Sequence, residues 1–366
     1  MKKFIVLAII LLLVVVSIGL TRTGADDSDT IRLGSILILS GEGAAWGEAA
    51  RNGINMAITE VNERGGVLGK TLTITHEDDG SDPARALGAY RKHRSSGIDF
   101  IIGTNWSNTG VAVAPRAIED GIVMVSPSLG VREFNEASDH LFNTWPHDEI
   151  LSGALADLVF EQGHRRVALF GAQQNWVEAQ TRAFTERFLA LGGTVAFSYE
   201  PPIETTDVRS EIAKMRADPS IDAIVMTIDG YSLTNIVAIQ LKALGVNLPL
   251  YSITIDRQII GNCQGACAGM IFPTFLTPTE DFERRYKTRY NREVEIGADS
   301  GYDAVMMLAE AMEATHTTDP DLVAAYLNKI TEYEGASGHL ISDGKGAFTK
   351  DFVLMRVMEG EPTRIE

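Results

Sequence analysis

From Ile31 onward, short apolar runs alternate with stretches whose apolar residues recur at helical spacing. IRLGSILIL (Ile31–Leu39) reads as a buried strand. The stretch after it carries Ile54, Ala57, Ile58 and Val61 at i, i+3, i+4 and i+7, one face of a helix. GGVLGK then turns the chain into the strand TLTITHE, and SDP at Ser81–Pro83 has the cap and first-turn proline of a helix start. IDFIIG (Ile98–Gly103) and GIVMVS (Gly121–Ser126) are two further strands with a helix between them. This alternation predicts parallel strands joined by helices, so Ile31 to about Pro146 forms one doubly wound unit. The grammar resumes after NTWPHD. RRVALFG (Arg165–Gly171) and Thr194–Tyr199 are strands, Glu178–Leu191 is a helix, and Val208–Ala217 is a helix with Val208, Ile212 and Met215 on one face. IDAIVMT, a helix ending in KALG, and PLYSI repeat it again. The prediction is an α/β protein with two similar lobes.

Within the first unit, two polar loops end successive strands, and Thr104–Gly130 contains both. In open parallel sheets such loops lie side by side at the carboxyl edge, where ligands bind. Ser107, Asn108 and Thr109 in one loop, and Ser128 and Gly130 in the other, offer hydroxyls and backbone N–H groups suited to a small carboxylate or amide. The competing reading is structural: Ser107 or Asn108 caps the next helix and Pro127 ends a strand. The tryptophans add weight to a site. All four, at positions 46, 106, 145 and 176, fall in predicted strand-end or crossover loops. They suggest a cleft whose apolar walls stack on an aromatic or aliphatic ligand bulkier than leucine.

The N-terminus decides the compartment. MKK precedes Phe4–Leu20, a run of 17 residues whose only polar member is Ser17, and the polar TRTGADDSD follows. This is the layout of a secretory signal over residues 1–25, with a small-residue cleavage site after Ala25. The run is also nearly long enough to span a bilayer, so an uncleaved N-terminal anchor is the alternative. The 366 residues, 45% of them hydrophobic, are enough for two domains with cores, and the formal charge of −17 disfavours a nucleic-acid partner. The two cysteines, Cys263 and Cys267 in NCQGACAG, could close a small disulfide loop in an oxidising compartment. They supply only two zinc ligands, and the seven histidines are scattered without metal spacing. GEGAAWG resembles a dinucleotide fingerprint, but the acids Asp78 and Asp79 come too late after it. Ser107 has no G-x-S-x-G elbow. No catalytic residue, metal or cofactor is therefore expected.

IRLGSILILSGEGAAWGEAARNGINMAITEVNERGGVLGK followed by EDDGSDPARAL, then IIGTNWSNTGVAVAPRAIEDGIVMVSPS, DAIVMTIDGYS, SGYDAVMMLAEAM and GHLISDGKGAFTKDFVLMRVMEG, together resemble the branched-chain amino acid (Leu/Ile/Val)-binding proteins of ABC importers. The resemblance covers nearly all of the mature chain. It implies a type I periplasmic-binding fold, two Rossmann-like lobes joined by three crossovers near Trp145, Pro273 and Gly335. Residues 31–146 plus 274–336 would form the N-terminal lobe, and 147–273 plus 337–366 the C-terminal lobe. It implies a monomer that captures an amino acid or related small carboxylate or amide by lobe closure and delivers it to a membrane permease. A ligand sensor feeding a signalling partner is the alternative. The place of action would be the periplasm, or the outer face of the membrane if the N-terminal segment is kept. The same resemblance implies that the Ser107 hydroxyl and the Ser128 backbone hold a ligand carboxylate. By the same resemblance Trp46 would wall the first lobe, while the loop positions alone add Trp106 and Asn108 as candidates and Leu129 stands, like Gly130, where relatives have a different pattern. Trp176 and Tyr231 would close from the second lobe. Asp256, with Asp229 as fallback, would take the ligand ammonium. Gly130 departs from the pattern, because relatives usually place Thr or Ser there.

Overall fold

The computed structural model describes residues 29–365 apart from Glu42, Asp229, Gly230, Tyr231, Thr254 and Thr277. The N-terminal segment discussed above, Asp229 and Tyr231 therefore lie outside the described residues. Among the described residues no helix is long and apolar enough to cross a membrane.

The first lobe is built in chain order from β1 (Thr30–Leu37), α1 (Ala44–Glu63), β2 (Thr71–Asp78), α2 (Pro83–Ser95), β3 (Phe100–Gly103), α3 (Ser107–Glu119), β4 (Val123–Ser126), the short α4 (Arg132–Asn135) and β5 (Leu141–Asn143). The strands form a parallel sheet in the order β2-β1-β3-β4-β5. Strands β3 and β4 are buried at every position, as expected where helices cover both faces of a sheet. Helix α2 starts as its sequence predicts: Asp82 caps it by accepting from the Arg85 amide at 2.7 Å, and Pro83 opens its first turn.

The second lobe continues with α5 (Glu149–Glu161), β6 (Arg166–Phe170), α6 (Asn175–Ala190), β7 (Thr194–Tyr199), α7 (Arg209–Met215), β8 (Ala223–Met226), α8 (Ser232–Ala243), β9 (Leu250–Ser252), α9 (Arg257–Asn262) and β10 (Ile271–Phe275). The chain then crosses back to the first lobe. Helices α10 (Glu280–Tyr290), α11 (Ala298–Thr315) and α12 (Pro320–Leu327) pack there, with Phe282, Tyr286, Val305, Leu308 and Val323 joining the core under α1. Helices α1 and α11 approach closely because Gly53 has no side chain. A Cβ at that position would lie 1.8 Å from the Ala298 carbonyl oxygen.

The third crossover falls later than the sequence suggests. Strands β11 (Glu332–Gly335), β12 (Gly338–Ser342) and β13 (Phe348–Thr349) form a small antiparallel sheet, and their Leu340 and Phe348 belong to the first lobe's core. Asn143 of β5 also bridges to Ala347. Residues 337–349 therefore stay with the first lobe, and the final crossing is at Lys350–Asp351 instead of near Gly335. Only β14 (Phe352–Met358) and β15 (Glu361–Arg364) return, adding two antiparallel strands to give the order β15-β14-β10-β9-β8-β6-β7.

The three crossovers meet at Trp145. Its ring packs edge-on against Phe275, at 5.6 Å between centroids, where the second crossover begins. The Lys350 ammonium of the third lies 5.1 Å from the same ring and pairs with Asp299 of α11 at 3.3 Å, both side chains buried.

Candidate functional site

A small cavity, partly open to solvent, lies between the lobes. Its walls come from the strand-end loops of both lobes and from the first crossover: Trp46, Asn105, Trp106, Ser107, Ser128, Trp145, Asp148, Gln174, Trp176 and Ile296. All four tryptophans of the chain are among them. Trp46, in the first turn of α1, and Trp106, just before α3, meet edge to face with centroids 6.0 Å apart.

The two loops singled out in the sequence lie side by side and are stitched together. Asn105 accepts from the Ile38 amide at 3.3 Å and donates to the Ser128 hydroxyl at 3.2 Å; that hydroxyl donates back to the Asn105 carbonyl at 3.0 Å. Ser126 Oγ donates to the Thr104 carbonyl at 2.7 Å. Ser107 is the first residue of α3, so the positive end of that helix meets the cavity where Ser107 and Ser128 line it. Helix N-terminal amides have no intrahelical acceptor and favour an anion.

Asp148 is the feature that sequence reasoning missed. It stands at the head of α5, and its carboxylate accepts from the Trp145 indole N–H at 3.0 Å and from the Trp176 indole N–H at 2.7 Å. Its own amide donates to the Gly130 carbonyl at 3.1 Å. One acid thus joins a first-lobe loop, the crossover and helix α6 of the second lobe. Gly130 is what makes room for it: a Cβ there would sit 1.8 Å from Asp148 Oδ2 and 2.9 Å from Trp176 Nε1. The hydroxyl absent at position 130 is thus replaced in space by a carboxylate from elsewhere in the chain. Burial pushes the Asp148 carboxyl up to about 6, against the two indole hydrogen bonds that favour the anion.

Other predicted positions stand outside this cavity. Asn108 turns away, donating to the Ser81 carbonyl at 3.0 Å and accepting from the Thr109 amide at 2.9 Å. Leu129 is wholly buried in the core beside α3, and its carbonyl accepts from Asn143. Asp256 caps α9 by accepting from the Ile259 amide at 2.6 Å. It lines a separate small hollow that shares Trp46 and Trp106 with the main cavity. Cys263 and Cys267, at the end of α9, are joined as a disulfide, with Cα atoms 5.7 Å apart. Asn105, Gln174 and Ile296 are lining residues that the sequence reading did not assign, whereas Trp145 is one of the four tryptophans that it placed in a cleft. Gln174 is the N-cap of α6, its side chain accepting from the Trp176 and Val177 amides and so fixing the turn that carries Trp176.

Two Rossmann-like lobes, three crossovers and an interlobe cavity define a two-lobed ligand-binding protein of the type I periplasmic kind. The Periplasmic binding protein family profile matches residues 30–362, and the chain belongs to that family. The chain is 34% identical over 98 residues to Leu/Ile/Val-binding protein BraC3 of Rhizobium johnstonii, a stretch that covers 27% of each chain. It thus matches only about a quarter of that relative's length. A leucine binding protein from Thermotoga maritima has the same fold, with a TM-score of 0.84 at 24% identity over 92% of this chain and 98% of that one. So does a solute binding protein from R. palustris in complex with 4-hydroxybenzoate, with a TM-score of 0.82 at 20% identity over 92% of this chain and 96% of that one.

Proposed function

We propose that the protein is an extracytoplasmic solute-binding protein that captures an amino acid or a related small carboxylate or amide by lobe closure and delivers it to an ABC importer. The observation that carries this reading is a cavity walled by both lobes and the hinge, with α3 presenting its N-terminus, Ser107 and Ser128. Ser107 and the Ser128 backbone serve the ligand carboxylate, and Trp46, Trp106 and Trp176 form the apolar walls. The convergence of the crossovers on Trp145, itself a lining residue, supports closure as the response to ligand. Small φ/ψ changes at three crossing points rotate one lobe on the other, and a ligand touching both stabilises the closed state by its differential affinity. The protein acts as a monomer, exported to the periplasm or tethered outside the membrane by its N-terminal segment, and meets a membrane permease. It binds without chemistry.

The Leu/Ile/Val-binding name of its relative and the leucine and 4-hydroxybenzoate named for its structural neighbours agree with this ligand class. The test is native mass spectrometry of protein purified from cells without added ligand. A retained small molecule released on denaturation, or saturable binding from a panel of amino acids and aromatic acids, is expected. Apo protein that binds no member of such a panel contradicts the reading.

A further inference from the structure

The interlobe space does not end at the tryptophans. A second, more open hollow adjoins the cavity, and Trp106 and Gln174 line both. None of its described lining residues belongs to a crossover, whereas Trp145 lines the cavity, so the hollow is the end of the cleft away from the hinge. The Gly80–Ser81 turn and Asn108 wall it on the first lobe, the 203–206 loop and the start of α8 on the second. Both walls are fixed. Asn108 donates to the Ser81 carbonyl at 3.0 Å. The Gln173 amide donates to the Pro201 carbonyl at 2.8 Å and Gln240 Nε2 to the Thr206 carbonyl at 3.1 Å, tying down both ends of the loop. Trp106, which divides the two spaces, is held as well. The Thr104 and Thr109 hydroxyls donate to its carbonyl at 2.9 and 3.0 Å, and its ring fills the space beside Gly43, where a Cβ would lie 2.6 Å from it.

Gln174 stands at the junction with a defined orientation. Its Oε1 accepts from the Trp176 and Val177 backbone amides at 2.8 and 3.1 Å. Those partners can only donate, so the oxygen must face them and the NH2 group is left facing away. Among the described residues that NH2 group has no acceptor. A half-buried amide in that state favours a carbonyl brought by a ligand. In the hollow beyond, Ile203, Leu233 and Ile236 alternate with the hydroxyls of Ser81 and Thr205, and Glu204 is the only ionisable described lining residue. With no cation in the wall, the hollow suits an arm of apolar and hydrogen-bonding groups and disfavours a second carboxylate.

We propose that the ligand is an amino acid acylated on its nitrogen, an N-acyl amino acid or a dipeptide, whose carboxylate meets Ser107 and Ser128, whose amide carbonyl accepts from Gln174 Nε2, and whose acyl arm lies past Trp106 in the outer hollow. The proposal rests on the solute-binding reading and extends its site from one space to two. It makes Gln174 a specificity residue as well as the cap of α6.

The experiment is isothermal titration of the ligand-free full chain with two pairs of monoanions: N-isobutanoyl-L-leucine against 4-methylpentanoate, and N-isobutanoyl-L-phenylalanine against 3-phenylpropanoate. At least one acylated compound is expected to bind at least about tenfold more tightly than its nitrogen-free counterpart, through one hydrogen bond and the burial of the arm. The alanyl dipeptides, isosteric with the isobutanoyl compounds, tell a dipeptide ligand from an N-acyl one, and tighter binding of either form supports the proposal. Thr205→Trp, which fills the outer hollow, is expected to weaken the acylated compound at least about tenfold and its counterpart by less than about threefold. Gln174→Glu keeps an oxygen for the two backbone amides and removes the donor, so it should shrink the ratio within a pair by about fivefold, the value of one hydrogen bond. The wild-type comparison needs no variant, so misfolding of either variant would not rescue the idea. If the nitrogen-free acids bind as well as the acylated ones, or folded Thr205→Trp weakens both alike, the two-space assignment is wrong while the solute-binding reading stands. If none of these compounds binds, a molecule retained from cells decides: one with an amide-linked arm supports the proposal, and one without it overturns the proposal alone. No binding and no retained molecule overturn both.

Discussion

Replacing Asp148 by asparagine should flatten one part of the protein's stability profile against pH. Burial raises the carboxyl from 3.8 in the unfolded chain to about 6 in the folded one. A folded value above the unfolded one means that the native state binds the proton more readily. The associated stability is therefore fully present below about pH 4 and is lost as pH rises through about 6. The gap of about two pH units corresponds to ~3 kcal/mol. Asparagine keeps the shape but turns an N–H toward one of the two indole donors, an unpaired-donor cost of about 1–3 kcal/mol that does not vary with pH. Asp303, also pushed to about 6 by burial although the Ala336 and Ser337 amides donate to it, is present in both proteins and cancels in the comparison. The assay is thermal denaturation of ligand-free wild type and Asp148→Asn between pH 4 and 7. The stability of wild type relative to the variant should rise by ~3 kcal/mol on acidification from pH 7 to 4, a relative shift in midpoint of roughly 5 °C for a protein of this size. Parallel profiles would show that Asp148 is not held as a buried acid.

Other consequences are simpler to measure. Gly130→Ala should cost about 1–3 kcal/mol in chemical denaturation, because its Cβ meets Asp148 Oδ2 and Trp176 Nε1 in a space already filled. A neutral result would mean that the acid can swing away freely. Asp256→Ala should lower stability by about 1 kcal/mol through loss of the α9 cap and leave ligand affinity within about threefold; a tenfold loss of affinity would restore Asp256 to the site. Replacing Cys263 and Cys267 together with serine should cost about 2 kcal/mol, the loop-closure value for so short a ring, read as a lowered denaturation midpoint.

The parts of the fold readable from sequence are those with a strong period. Thr194–Tyr199 and the helix after Ser81 came out as drawn because alternation and a cap-proline signal act locally. The third crossover did not, since β11–β13 are short, half-exposed antiparallel strands, and whether Leu340 faces one lobe or the other depends on a distant core. Within the site the tryptophans were legible, because strand-end loops of a parallel sheet converge whatever lies between them. Individual neighbours were not. Ser107 faces the cavity and Asn108 faces Ser81, a difference set by one step of helical rotation. Ser128 lines the cavity while Leu129 is core. Asp148 carried a signal in the sequence only indirectly, as the empty space at Gly130, and a gap does not name what fills it.

The chain's tryptophans all line one cavity, so intrinsic fluorescence reports on that cavity and on little else. Titrating the ligand-free protein with the compound that gives saturable heat in calorimetry should shift tryptophan emission with the same midpoint, as the indoles are desolvated and the lobes close. Saturable heat with unchanged emission at all four tryptophans would place binding elsewhere and contradict the account.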